Sequence, residues 1–276
     1  MITMKANIAY KTPKTILTKG TGFLSGYSHS LNPYTGCAFG CSYCYVREMP
    51  VSIFRSEEWG SWVDVKQGAA ELLDKEITKA KQKGPVTIFM SSSTDPYQPA
   101  EHTERITRSL LEAMAENQPD FLFVQTRSPL AARDADLFQK LGEKVRISMT
   151  VETDSERIRK HFTPSAPPIP ARLKALRELK EAGIPVQAAI APMLPSSERF
   201  PELLFPIVNR ICIDDYFMGD GSGGRRTEKI GIPSLYEELN LKEWYNRTAY
   251  RKLYKRFTEV FPPEKVLISK EGFLPQ

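Results

Sequence analysis

Leu31-Asn-Pro-Tyr-Thr-Gly-Cys37-Ala-Phe-Gly-Cys41-Ser-Tyr-Cys44-Tyr45 places three cysteines in one short run, spaced C-x3-C-x2-C, with no fourth cysteine nearby. Three thiolates on one loop can hold three corners of an iron–sulfur cube and leave the fourth iron open to a ligand, whereas four-cysteine clusters normally only carry electrons. A strand near 30–34 would put this loop at a strand's carboxyl end.

Outward from the loop, strands and helices alternate. A helix is expected over 63–83, with Ala69, Ala70, Leu72 and Leu73 on its apolar side, ended by Gly84-Pro85. Strands at 85–90, 121–125, 145–151, 186–191 and 210–214 are separated by helices at 101–116, 134–141, 171–182 and 197–208. This alternation means βαβ units and a parallel sheet: an α/β fold, with about six units making a partial barrel rather than a closed eight-stranded one. Residues 1–30 read as an N-terminal arm, 31–216 as the core partial barrel and 217–276 as a C-terminal extension packed on it. Within that extension the Gly-rich run 218–226 is expected to be mobile. A helix is expected at 250–260 and a short strand at 265–269.

Composition agrees. The 276 residues are 41% hydrophobic and 26% charged, which suits one large globular unit. No apolar stretch approaches a membrane span, and Met1-Ile2-Thr3-Met4-Lys5 lacks the apolar segment of a secretory signal. The expected compartment is therefore the cytoplasm, with no membrane partner. Four cysteines, three of them clustered, make a poor disulfide framework and point to metal or catalysis. The net charge of +5 suits nucleic acid as well as a merely solvated basic surface.

In parallel α/β folds ligands bind at the carboxyl ends of the strands. Ser91, Ser92, Ser93, Thr94 and Asp95 follow one strand, Thr126, Arg127 and Ser128 the next, and Ser148, Thr150, Glu152 and Thr153 close the third. Alternation turns Ile147, Met149 and Val151 toward the helices and Ser148, Thr150, Cys212 and Asp214 toward the interior. Cys212 suits a hydrogen donor, an added ligand or a small buried hydrophobe. His29, His102 and His161 show no ligand spacing.

The cysteine spacing, with an aromatic before the last cysteine, resembles the radical S-adenosylmethionine (SAM) superfamily. The fuller string 31–45, Ser93-Thr-Asp-Pro-Tyr-Gln98, Thr126-Arg-Ser128 and the stretch from Pro167 to Pro195 are similar to its spore photoproduct lyase-like branch, across roughly residues 15–215. The resemblance implies a [4Fe–4S] cluster on Cys37, Cys41 and Cys44. Its open iron would bind SAM, whose reductive cleavage yields a 5′-deoxyadenosyl radical that abstracts hydrogen. It also implies that Ser93, Thr94 or Asp95 holds the methionyl amine, that Arg127 pairs with the carboxylate, and that Ser148 reaches the ribose or carboxylate. Backbone near Ala191, with Tyr43, would contact the adenine. The branch uses a cysteine donor after the second barrel strand, where this chain has Ser91, Ser92 and Ser93. A Ser O–H bond is too strong to replace a thiol there, which argues against dimer repair by that route.

Two substrate classes follow: nucleic acid or a modified nucleobase, or else a small molecule or peptide. A one-electron reductant such as flavodoxin or ferredoxin is the implied partner. A non-catalytic zinc or electron-transfer module is the competing reading, but zinc wants four ligands and the loop supplies three.

Overall fold

The computed structural model describes residues 6–275, so the reading of the first five residues lies outside the described part. The strands are β1 (Asn7–Lys11), β2 (Leu17–Lys19), β3 (His29–Leu31), β4 (Tyr34–Thr35), β5 (Trp62–Lys66), β6 (Thr87–Met90), β7 (Phe121–Thr126), β8 (Val145–Thr150), β9 (Val186–Ile190), β10 (Ile211–Ile213) and β11 (Val266–Ile268). The helices are α1 (Pro50–Ile53), α2 (Ala69–Lys81), α3 (Glu101–Glu104), α4 (Ile106–Glu116), α5 (Ala135–Leu141), α6 (Glu156–Phe162), α7 (Ile169–Glu181), α8 (Phe200–Leu204), α9 (Tyr216–Gly219), α10 (Arg225–Lys229), α11 (Ile232–Glu238) and α12 (Ala249–Thr258).

The main sheet runs β2-β3-β6-β7-β8-β9-β10-β11. Strands β3 and β6 to β11 are parallel to their neighbours, and only β2 is antiparallel. The two edges, β2 and β11, are not paired, so the sheet is a partial barrel as expected. Side chains bridge the gap: Tyr27 Oη donates to the Phe273 carbonyl at 2.7 Å, and the Phe23 and Phe273 rings lie 5.7 Å apart.

Strand β8 shows why the sheet forms here. Its Ile147 and Met149, with Val151 just beyond, join a core that includes Leu173, Leu176 and Leu179 of α7. Burying each such side chain contributes roughly 1.5–3 kcal/mol. Ser148 and Thr150 point the other way: Ser148 Oγ accepts from Gln187 Nε2 at 3.0 Å, and Thr150 Oγ1 accepts from Gln125 Nε2 at 2.7 Å. The interior under these polar groups is filled by Tyr27, Phe89, Phe123, Cys212 and Phe273.

Several expectations need correction. Residues 63–66 are not the start of a helix but part of β5. Its Val63 and Val65 are fully buried, and it pairs with β1 and β4 in a second, three-stranded sheet. The helix begins only at Ala69, and its buried positions are Ala69, Leu73 and Ile77, one i,i+4 stripe. The helix expected over 101–116 breaks at Arg105, with φ +53°. There the Glu101 carboxylate accepts from Thr107 N and Arg108 N and so caps the start of α4. The helix at 197–208 shrinks to α8, with Pro201 in its first turn and Pro206 beyond its end. The Gly-rich run 218–226 spans the end of α9, a turn at 220–224 and the start of α10. The Asp220 carboxylate ties the turn by accepting from Ser222 N, Gly224 N and Arg226 N.

Candidate functional site

One cavity of about 420 Å³ opens at the carboxyl ends of the main sheet. Cys37, Cys41 and Cys44 all line it, together with Tyr43, Ser93, Thr94, Asp95, Arg127 and Ala191. The structure thus brings together every sequence-predicted site residue except Ser148 and Cys212. Ser148 is fully buried behind the wall. Cys212 is fully buried under the 3-10 turn Ser269–Phe273, where a Cβ on Gly272 would strike its sulfur.

The cysteine loop is held by its neighbours. Gly36, with φ +81°, lies against Trp62, where a Cβ would collide with the indole ring and carbonyl. The Gly36 carbonyl accepts from Thr94 Oγ1 at 2.7 Å and Gln98 Nε2 at 3.1 Å, and Gln98 Oε1 accepts from Ala38 N at 2.9 Å. Arg47 Nη2 donates to the Gly40 carbonyl at 2.9 Å, and Ser42 N to the Phe162 carbonyl at 3.0 Å. Thr94 therefore spends its hydroxyl on positioning the loop.

Asp95 is spent as well. Its Oδ1 accepts from Tyr97 N and Thr126 Oγ1, and its Oδ2 from Arg127 N. It ties the loop after β6 to the end of β7 through the Thr126 hydroxyl and the Arg127 backbone N–H, which leaves the Arg127 side chain in the cavity lining. Of the three candidates for an amine, only Ser93 keeps a hydroxyl with no hydrogen bond among the described residues. Its backbone N is anchored on Asn32 Oδ1 at 3.1 Å.

A buried ionic group links this wall to the cysteines. Glu152, fully buried, accepts from Arg127 Nη1, Arg172 Nη1 and Tyr43 Oη, each at 2.6 Å, and Arg127 Nη1 also donates to Tyr43 Oη at 2.8 Å. Burial alone would push the Glu152 carboxyl up, but Arg172 and Arg127 hold it below the usual carboxylate range. Nη2 and Nε of Arg127 have no partner among the described residues, which leaves guanidinium N–H groups for an anionic ligand.

Burial pushes the three clustered thiols up, Cys44 to about 11. As a bare loop they are neutral; cationic iron deprotonates coordinating thiols outright. Three soft donors with no fourth nearby fit a cube with one open corner. Among the described residues no three His, Cys, Asp or Glu side chains are gathered around one ion-sized point.

Sequence reasoning missed other lining residues. Phe23 and Leu24 come from the arm, Phe273 from the extension, Gln125 from a strand end and Asp220 from the Gly-rich run, whereas Asp214, turned inward by parity as expected, lines the cavity beside Asp215. Burial pushes Asp214 up to about 7. Ser91 holds φ +74°, unusual for a non-glycine residue, and donates its backbone N–H to the Leu31 carbonyl at 2.7 Å. No helix among the described residues is long and apolar enough to cross a membrane.

Comparison with known proteins agrees with this geometry. The Radical SAM superfamily matches residues 31–204. An uncharacterised protein of Methanocaldococcus jannaschii is 33% identical over 172 residues, and the match spans 62% of each chain. An uncharacterised protein of Acidianus two-tailed virus is 32% identical over 245 residues, 84% of this chain and 78% of the viral one. A solved structure of a spore photoproduct lyase mutant, with bound AdoMet and dinucleoside spore photoproduct, superposes with TM-score 0.65. It is 15% identical, and the match covers 95% of this chain and 81% of that one. With its cysteine loop at the mouth of a partial barrel, this chain belongs to the radical SAM superfamily and is an enzyme of that family.

Proposed function

We propose that Cys37, Cys41 and Cys44 hold a [4Fe–4S] cluster and that the same cavity binds SAM for reductive cleavage. The observation that carries this reading is the meeting of three thiols with Ser93 and Arg127 in one cavity. When bound, the cluster supplies the electron that splits SAM into methionine and a 5′-deoxyadenosyl radical, which takes a hydrogen atom from the substrate. Ser93 Oγ accepts from the methionyl ammonium, and the free N–H groups of Arg127 hold its carboxylate. Thr94 and Asp95 are positioning residues for the loop and for Arg127. Tyr43 and backbone at Ala191 flank the adenine, and Ser148 supports the wall from behind. Cys212 is a packing residue, since the turn at Ser269–Phe273 seals it from the cavity. Residues 31–216 form the catalytic core, with 1–30 and 217–276 as flanking parts. A flavodoxin- or ferredoxin-type protein supplies the electron.

Anaerobic reconstitution with iron and sulfide, followed by SAM and dithionite, is expected to give 5′-deoxyadenosine. Cys41→Ala is expected to abolish it. A fully loaded cluster whose EPR spectrum ignores SAM, and which yields no 5′-deoxyadenosine, would refute the reading.

A further inference from the structure

Away from Arg127, unmet hydrogen bonding within the same cavity has one sense. Three of its lining residues carry a buried polar atom without a partner: Asp215 Oδ2, Gln125 Oε1 and Ser91 Oγ. Two of these are pure acceptors and the third is a hydroxyl. Apart from the Arg127 N–H groups assigned above to the cofactor carboxylate, no buried N–H group of the described lining lacks a partner. Ser91 is 4% exposed and Asp215 6%, so bulk water does not reach these groups freely. Buried polar atoms are costly to leave unmade, and a native site supplies them with a ligand or an ordered water.

The neighbours of these acceptors add charge and shape. Asp214 and Asp220 line the same cavity as Asp215. The Asp215 Oδ1 atom is used, since it caps α9 by accepting from Phe217 N and Met218 N at 2.8 Å each, so only Oδ2 is left without a partner. Arg226 Nη1 is turned away onto the Asp220 carbonyl at 2.6 Å. Apolar wall is supplied by Phe89 and by the paired Phe23 and Phe273 rings. Aromatic faces beside carboxylates attract an organic cation and repel a phosphodiester. Ligand pockets run from about 300 to 1,000 Å³. A cavity of about 420 Å³, shared with a cofactor, therefore admits only a small body or the tip of a larger one.

Resting on the SAM reading above, we propose that Asp215, Gln125 and Ser91, backed by Asp214, form the substrate-recognition wall. It takes a protonated amine carried on a small apolar or aromatic body. The arm and the extension take part in recognition through Phe23 and Phe273.

The test uses benzylamine as probe, with benzyl alcohol and benzoate as neutral and anionic counterparts and the dinucleotide TpT as phosphodiester. Calorimetric titrations are made on the cluster-loaded, SAM-bound full chain without reductant, so binding is read independently of turnover. Benzylamine is expected to bind about tenfold or more tighter than either counterpart, as a charge-assisted bond requires. Asp215→Asn keeps the helix cap but turns the free acceptor into a donor, and is expected to lose about that tenfold. Gln125→Glu adds acceptor charge at nearly constant shape and is expected to tighten benzylamine. Equal binding of benzoate, tighter binding of TpT, or unchanged benzylamine affinity in both variants overturns the proposal. A loss of SAM affinity in Asp215→Asn as large as the loss for benzylamine assigns the wall to the cofactor and overturns it too. Failure of the SAM reading shows separately, as absent 5′-deoxyadenosine and an EPR signal indifferent to SAM.

Discussion

Replacing Glu152 with Gln keeps the size of a side chain whose carboxylate bridges Arg127 and Arg172. The wild-type carboxylate is fully buried and accepts three bonds of 2.6 Å, two of them from guanidinium groups. Arg172 is itself fully buried, and its Nη2 already lacks a partner. The variant takes from both cations the carboxylate they share in a low-dielectric wall. Removing one partner of a buried ion pair costs about 3–5 kcal/mol. For a chain of this size that is a fall in Tm of roughly 6–10 °C. Urea unfolding of the metal-free protein under anaerobic reducing conditions measures it without interference from cluster binding. The pH dependence gives a second signature. A carboxyl held below its ordinary value contributes stability above that value and loses it as pH falls through the lowered one. The gap between wild type and Glu152→Gln should be full at pH 7 and close below the ordinary Glu value of 4.5. A double-mutant cycle with Arg127→Met should show coupling between the two sites. A loss under about 1 kcal/mol at pH 7, the scale of an exposed pair, would refute the network as the support of the cysteine loop.

Two further expectations follow from the same geometry. Thr94→Val removes the bond from Thr94 Oγ1 to the Gly36 carbonyl while keeping shape; it should cost about 1–2 kcal/mol in unfolding experiments and lower the iron retained per chain after desalting. Unchanged iron retention would remove Thr94 from the loop's support. Asp214, with its ordinary value of 3.8 raised to about 7, binds its proton more tightly folded than unfolded. Wild-type stability from this group therefore falls as pH rises through that window, and Asp214→Asn escapes the loss. The variant should gain about 2–3 kcal/mol relative to wild type between pH 5 and pH 8, and a difference flat with pH would sink the burial argument.

Much of the fold was legible because its signals are short. The parity of Ile147, Met149 and Val151 against Ser148 and Thr150 reads correctly from the chain alone, since a strand's two faces alternate whatever its partner. The cysteine loop was equally plain, because C-x3-C-x2-C needs nothing outside itself. The misreadings fall where a distant partner overrides the local pattern. Val63 and Val65 became a strand because β1, more than 50 residues earlier in the chain, offers an edge to pair with. The turn at Asp220 looked mobile because glycines suggest freedom, yet one carboxylate takes up three backbone N–H groups there.

The sequence by itself determined the chemistry class and the layout of the sheet, since ligand spacing and strand–helix alternation are patterns within a few neighbouring residues. Only the tertiary structure decided which candidates are free to act. It spends Asp95 and Thr94 on holding loops, hides Ser148 and Cys212 behind the wall, and leaves Ser93, Arg127 and Asp215 with unused polar atoms. The physical reason is separation along the chain. Several of the hydrogen bonds that make these choices join distant residues, Asp95 with Thr126, 31 apart, and Thr94 with Gly36, 58 apart, while the Tyr27–Phe273 bond that bridges the sheet edges spans 246. Such partners meet only once the sheet has curled and its two edges have been bridged.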